Sequence, residues 1–166
     1  GAGFEKDSQG LREAFDGFLA GIREDGTYDD MIQRWFVRKE RTMPTLPEDG
    51  SAGTLTIGTA AFGFPYGALP DGEFAGFDIE LARRFAASQG KQAEFLQMDF
   101  GGLIAAQVAG KVDMLVTGMF ITPERKERID FSDPYYNTEI RVFALKQNMG
   151  ARPAAAPGKP KLTSIG

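Results

Sequence analysis

Residues 117–136 read TGMFITPERKERIDFSDPYY, and the order of residue types in this stretch divides a strand from a helix and the helix from a turn. The segment Asp113 to Thr117 (DMLVT) is apolar enough for a buried strand and stops at Gly118. Thr122, Pro123 and Glu124 then stand in the order of a helix N-cap, a proline at the first turn and an acid that the helix dipole favours, so a short helix is expected after Thr122. Asp130, Phe131, Ser132 and Asp133 read as a structural turn leading out of it.

Working outward, the same alternation of strand and helix repeats. A strand is expected near Thr54 to Thr59, a helix near Phe77 to Gln89, a strand near Gln92 to Met98 and a helix near Gly101 to Ala109. Such alternation argues for an α/β layer architecture with a largely parallel sheet. Downstream, Glu139 to Lys146 reads as a further strand, and the tail from Gly150 to Lys161, rich in Ala and Pro, is expected to be poorly ordered. Upstream, Leu11, Phe15, Phe18, Leu19 and Ile22 recur at helical spacing between a candidate N-cap at Ser8 and a stop at Gly26. A second helix is expected from Thr27, which with Asp30 approximates a capping box, and Ile32, Trp35 and Phe36 supply its apolar face. Between Val37 and Gly53 the charged, then Pro- and Gly-containing sequence reads as an extended linker.

Composition narrows the function. At 166 residues the chain has room for one compact domain with appendages, and 42% hydrophobic with 25% charged residues is ordinary for a globular protein. A net charge of −4 with interspersed signs offers no basic stripe, so nucleic acid is not an expected partner. Without cysteine there are no disulfides or thiolate nucleophiles, and without histidine the Ser-His-Asp arrangements and the commonest metal ligand are gone. No apolar run approaches the roughly 20 residues of a membrane span, and the start lacks a basic region followed by an apolar one. A soluble chain without a signal peptide, a metal or a cofactor is therefore expected.

Three stretches in order, FAGFDIEL (Phe74 to Leu81), MDFGGLIAAQVAGKVD (Met98 to Asp113) and Thr117 to Tyr136, closely resemble the extracellular solute-binding proteins of family 3, the polar amino-acid binders. The resemblance covers roughly Leu55 to Lys146. It implies a single lobe of a type 2 periplasmic binding protein, an α/β lobe with a mostly parallel sheet flanked by helices. It further implies a periplasmic or otherwise extracytoplasmic receptor, free or membrane-tethered through a parent protein, that takes a small amino-acid-like ligand to an ABC permease of the inner membrane.

An arginine fork can grip an α-carboxylate by two parallel hydrogen bonds, and a glycine lets backbone approach closely. By resemblance, Arg125 with the Thr117 to Gly118 backbone would hold the ligand carboxylate, with Thr122 capping the helix beside it. On spacing alone the more ordinary reading of Arg125 is an ion pair with Glu124, Glu127 or Asp130 on a solvated helix face. The resemblance also implies rings sandwiching the ligand side chain, with Phe62, Phe64, Tyr66 and Phe100 as candidates; core packing is the alternative for each. Two positions depart from the family pattern: Ala60 stands where many relatives carry an acid, and Phe120 where a threonine hydroxyl often meets the carboxylate. Asp78 and Glu80 read as helix-start caps and solvated charges.

Residues 4–36 resemble the end of such proteins rather than their beginning, with Trp35 at the place of a tryptophan in the last helical turn. The organisation this implies is a lobe circularly permuted with C-terminal-type helices at its N-terminus. Residues 1–36 supply a hinge strand and two helices, 37–53 a linker, 54–147 the N-terminal-type part of the binding lobe and 148–166 a flexible tail toward a missing second lobe. The parent would then hold tandem solute-binding units. The two helices are expected to pack back on the lobe, and Gly1 to Glu5 to pair beside Glu139 to Lys146. No catalytic role is expected; the rival readings are a sensing ectodomain of a receptor kinase or channel and an enzyme on this fold, such as a dehydratase or a peptidoglycan-cleaving fusion.

Overall fold

Four of the six residues of Thr54–Thr59 are β-branched, and an extended chain of that kind needs a neighbour on each edge. In the computed structural model, which describes residues 1–6, 8–46 and 50–138, it finds both. The elements in chain order are β1 (Gly3–Phe4), α1 (Gln9–Glu24), α2 (Thr27–Ile32) continued by a π-helical turn at Gln33–Val37, β2 (Thr54–Thr59), α3 (Phe77–Ser88), β3 (Gln92–Gln97), α4 (Leu103–Val108), β4 (Met114–Leu115), α5 (Pro123–Lys126) and β5 (Asp130–Phe131). The strands form one sheet of order β3-β2-β4-β1-β5. β2 runs parallel to β3, from Thr54 opposite Gln92 to Thr59 opposite Gln97, and parallel to β4 at Ile57 and Gly58. β1 is antiparallel to both β4 and β5, so it is the one strand of the five that runs against the rest.

Period-two alternation sends neighbouring side chains to opposite faces of the sheet. Met114 and Val116 join Leu55, Ile57 and Phe4 in the larger core, beneath α1 and α3. Leu115 faces the other way, with Leu103, Val112, Met119, Ile129 and Phe131. Gly58 is small for that reason, since a Cβ there would lie 2.7 Å from Leu115 Cδ2.

The N-terminal helices cover the larger core. Phe15 and Leu19 of α1 and Trp35 of the π-helical turn are buried with Phe77, Leu81 and Phe85 of α3, and the Phe15 ring meets Phe85 edge-on at 5.0 Å. Burying each such ring contributes about 1.5–3 kcal/mol. Two expectations change. α2 starts after Gly26, whose φ of +82° makes it the N-cap, and the Asp25 carboxylate accepts the Thr27 N–H at 2.8 Å, so Thr27 is the first helical residue and not the cap. Asp130 and Phe131 form a strand rather than a turn, because β1 supplies a backbone edge that a local reading cannot see. Gly3 and Phe4 have β4 on one edge and β5 on the other, while Glu139 to Lys146, the expected partner of Gly1 to Glu5, lies outside the described residues.

Residues 1–136 form one compact unit; the second comprises 137–166, of which Asn137 and Thr138 are described, both exposed. The expected strand Glu139 to Lys146 and the expected tail 148–166 lie outside the described residues. Among the described residues no helix is long and apolar enough to cross a membrane, and no cluster of acids could hold a metal ion.

Candidate functional site

The loops that leave the carboxyl ends of the neighbouring strands β2 and β4 meet at one end of the sheet, the position where open α/β sheets receive ligands. Thr117, buried, joins them: its hydroxyl oxygen accepts the Ala60 N–H at 2.9 Å. Gly118 turns the chain with φ +60°, and its N–H donates to the Tyr135 hydroxyl oxygen at 3.1 Å. A Cβ on Gly118 would meet its nearest neighbours only at 3.8 Å, so glycine serves the left-handed turn there rather than a close approach.

Met119 then dips into the lower core while Phe120 stays 45% exposed. Thr122 caps α5 as expected, its hydroxyl oxygen accepting the Arg125 N–H at 3.3 Å. The amide of Glu124 is held by its own carboxylate, which lies below its ordinary range for that reason first and through the Thr122 hydroxyl second. The backbone donors of this single turn are thus largely engaged, and the charge available to an anion is that of the Arg125 side chain.

That side chain is anchored without being neutralised. Arg125 Nη1 donates to the Phe120 carbonyl at 2.7 Å, and the guanidinium lies over the Phe100 ring at 5.1 Å. No ion pair involves Arg125 among the described residues; the Asp130 carboxylate pairs with Lys6 at 2.9 Å. A guanidinium stacked on a ring keeps N–H groups at its edge for a second, planar acceptor. Phe62, 70% exposed, sits 5.3 Å from Phe100 in a tilted arrangement. The structure therefore gathers Arg125, Phe100, Phe62, Phe120, Thr122, Thr117 and Gly118 around that end of the sheet.

Phe64 and Tyr66 are placed differently. Phe64 stacks on Trp35 at 6.1 Å and 17°, with the Arg41 guanidinium 5.7 Å over it. Tyr66 packs edge-on against Phe36 and Tyr136 at 5.4 and 5.8 Å, and its ring also borders Gly118. Phe64 thus faces the N-terminal helices, whereas Tyr66 touches both them and the loop.

Two acids read from the sequence as caps and solvated charges are in fact buried. α3 begins with Gly76 as its N-cap and its first turn is sunk into the core, so Asp78 and Glu80 follow Phe77, Ile79 and Leu81 inside. Glu80 is satisfied by Arg34, Arg84 and Trp35. Neither Asp78 oxygen meets a donor in hydrogen-bonding geometry among the described residues. The one signal available was the pattern FDIEL itself, an acid between apolar residues on either side, and it does not say which face is covered.

Burial pushes the Asp78 carboxyl up from an ordinary 3.8 to about 6, with the facing Tyr135 hydroxyl and the Gly1 amino group pulling the other way. The folded state then holds its proton more tightly than the unfolded chain, so stability from this group is complete below about pH 4 and is lost as pH rises to about 6. At 1.36 kcal/mol per unit the loss is on the order of 3 kcal/mol. Asp78→Asn should therefore remove this fall, and thermal unfolding at pH 4.5 and pH 7.5 checks it; a wild-type fall that persists in the variant assigns the pH dependence elsewhere.

The sequence pattern of the bacterial extracellular solute-binding proteins, family 3, matches residues 55–164. The chain belongs to this family. Among relatives in the solute-binding family, the chain is 38% identical over 94 residues to the arginine-binding extracellular protein ArtP of Bacillus subtilis, covering 57% of this chain and 37% of that protein. It is 32% identical over 122 residues to the L-arginine-binding protein of Pseudomonas aeruginosa, covering 73% and 47%. The chain thus spans less than half the length of these relatives. Among solved structures it resembles the arginine-bound form of domain 1 from TmArgBP, with a TM-score of 0.50, 38% identity, and coverage of 52% of this chain and 69% of that one.

Proposed function

We propose that this lobe binds a small amino acid by its α-carboxylate at Arg125, as part of the substrate-binding component of an ABC transporter in the periplasm or outside the cell, and that it is a binding protein rather than an enzyme. One observation carries the reading: a guanidinium held by a carbonyl and a ring, with no ion pair among the described residues, at the end of the sheet lined by the exposed Phe62. Similar proteins named as binders of arginine, histidine and cystine support an amino-acid ligand. The arginine-bound form of a single domain supports binding to one lobe. The antiparallel β1 amid parallel strands supports a chain that returns from elsewhere to finish the sheet, in keeping with a permuted lobe whose partner lobe, or tandem unit, lies in the parent protein.

The test is calorimetric titration of the chain with the twenty amino acids. Arg125→Ala should weaken binding by about 30-fold to 1,000-fold, the ~2–4 kcal/mol expected for removing one partner of a hydrogen-bonded charge pair. Stability should change by less than about 1 kcal/mol, since Arg125 is half-exposed and belongs to no ion pair among the described residues. Unchanged affinity would remove Arg125 from the site.

A further inference from the structure

Three segments far apart in sequence converge behind the Arg125 loop. Asp78, wholly buried on α3, has neither carboxylate oxygen in hydrogen-bonding geometry with a donor among the described residues. Tyr135, 2% exposed on the chain leaving β5, faces it. Gly118, at the turn after β4, donates its N–H to the Tyr135 hydroxyl oxygen, and a Cβ on Gly118 would stand 3.8 Å from Asp78 Oδ2. Since the hydroxyl oxygen accepts from Gly118, its proton is left to point at Asp78. A carboxylate charge facing the hydroxyl polarises its O–H and makes the oxygen a better acceptor, so ionised Asp78 strengthens the bond that Gly118 makes.

We infer that Asp78 and Tyr135 are positioning residues that hold the left-handed Gly118 turn and thereby set where the 118–125 loop presents Arg125. The inference rests on the proposed carboxylate-binding role of Arg125 only for its effect on affinity; the hold on the turn stands on the geometry alone. Tyr135 is itself tied to the N-terminal helices, because the Tyr28 hydroxyl donates to its carbonyl. The turn is therefore coupled to the covering of the lobe as well as to its site.

The titratable groups facing Asp78 are Tyr135 from the exit segment, Tyr66 from the loop before α3, which borders Gly118, and the Gly1 amino group beside β1. Of these the Gly1 amino group, which burial brings down to about 6, would titrate in the same range as Asp78. The experiment follows the Gly118 amide resonance of the full 166-residue chain, labelled with nitrogen-15, from pH 4.5 to 8, alongside titration with L-arginine. In the wild type the amide should shift with a midpoint near 6, and the shift should vanish in Asp78→Asn and shrink in Tyr135→Phe, where the Gly118 amide senses Asp78 without the hydroxyl between them. L-Arginine affinity above the midpoint should fall about tenfold in each variant, the size expected for one lost or weakened hydrogen bond.

A Gly118 shift that persists in Asp78→Asn would belong to the Gly1 amino group and overturns the inference, as does binding of equal strength in the wild type and both variants. If no amino acid binds the wild type while the amide behaves as described, the binding reading fails and the positioning of the turn stands. Should Tyr135→Phe not fold, the near-isosteric Asp78→Asn decides alone.

Discussion

Gly76→Ala is expected to cost the lobe about 3–5 kcal/mol, a large share of the 5–15 kcal/mol that a domain of this size commands. Gly76 has φ +135° and ψ 173°, a conformation open in practice to glycine alone, which costs another residue about 1–3 kcal/mol. A Cβ there would stand 2.3 Å from the Tyr66 carbonyl oxygen and 2.9 Å from Gly67 Cα, both backbone atoms that no rotamer can move aside. The Tyr66 carbonyl and its neighbour Pro65 cap α3, because Tyr66 accepts the Asp78 N–H and Pro65 the Phe77 N–H, each at 2.8 Å. Pushing the loop away would lose two backbone hydrogen bonds worth about 1 kcal/mol each. It would also displace the segment that carries Phe62 and Tyr66, so ligand affinity should fall with stability. Urea unfolding of the variant checks this, and a stability within 1 kcal/mol of wild type would show that the loop can yield.

The second large effect is expected at Glu80. This fully buried carboxylate accepts from Arg34 Nη1 at 2.9 Å, from Arg84 Nε at 2.9 Å and from the Trp35 indole N–H at 2.7 Å. Arg34 also pairs with Asp30 and Glu40, but it is itself mostly covered. Removing Glu80 leaves the indole donor without its acceptor and strands positive charge in the interior, and breaking a buried pair from one side costs about 3–5 kcal/mol. Glu80→Ala should therefore lose that much stability. Because Arg34 and Trp35 belong to the N-terminal segment and Glu80 to α3, the variant should also be cut faster by protease in the 37–53 stretch. Glu80→Gln, which can still accept from Trp35, should lose less. Equal protease resistance in wild type and Glu80→Ala would mean that apolar packing alone, through Phe15, Leu19 and Phe85, holds the helices down.

What could be read from the chain alone was whatever is encoded locally. The limits of β2 at Thr54 and Thr59, the helix from Phe77, and the Thr122 cap with Pro123 behind it all follow from residues within a turn of one another, and the structure places them where periodicity and capping chemistry do. Arg125 was legible as a candidate because a motif surrounds it. The tertiary structure alone decided the rest. Gly3–Phe4 and Asp130–Phe131 are two-residue strands with no pattern of their own, extended because partners more than a hundred residues away complete their hydrogen bonds. Phe62 and Phe64 are alike in sequence, yet one ring faces solvent beside Phe100 and the other stacks on Trp35, a choice made by the loop's path and by a helix from the other end of the chain. Asp78 and Glu80 show the same limit: composition marks them as charged, but whether a charge is buried, and whether a partner waits for it there, depends on which segments fold over it.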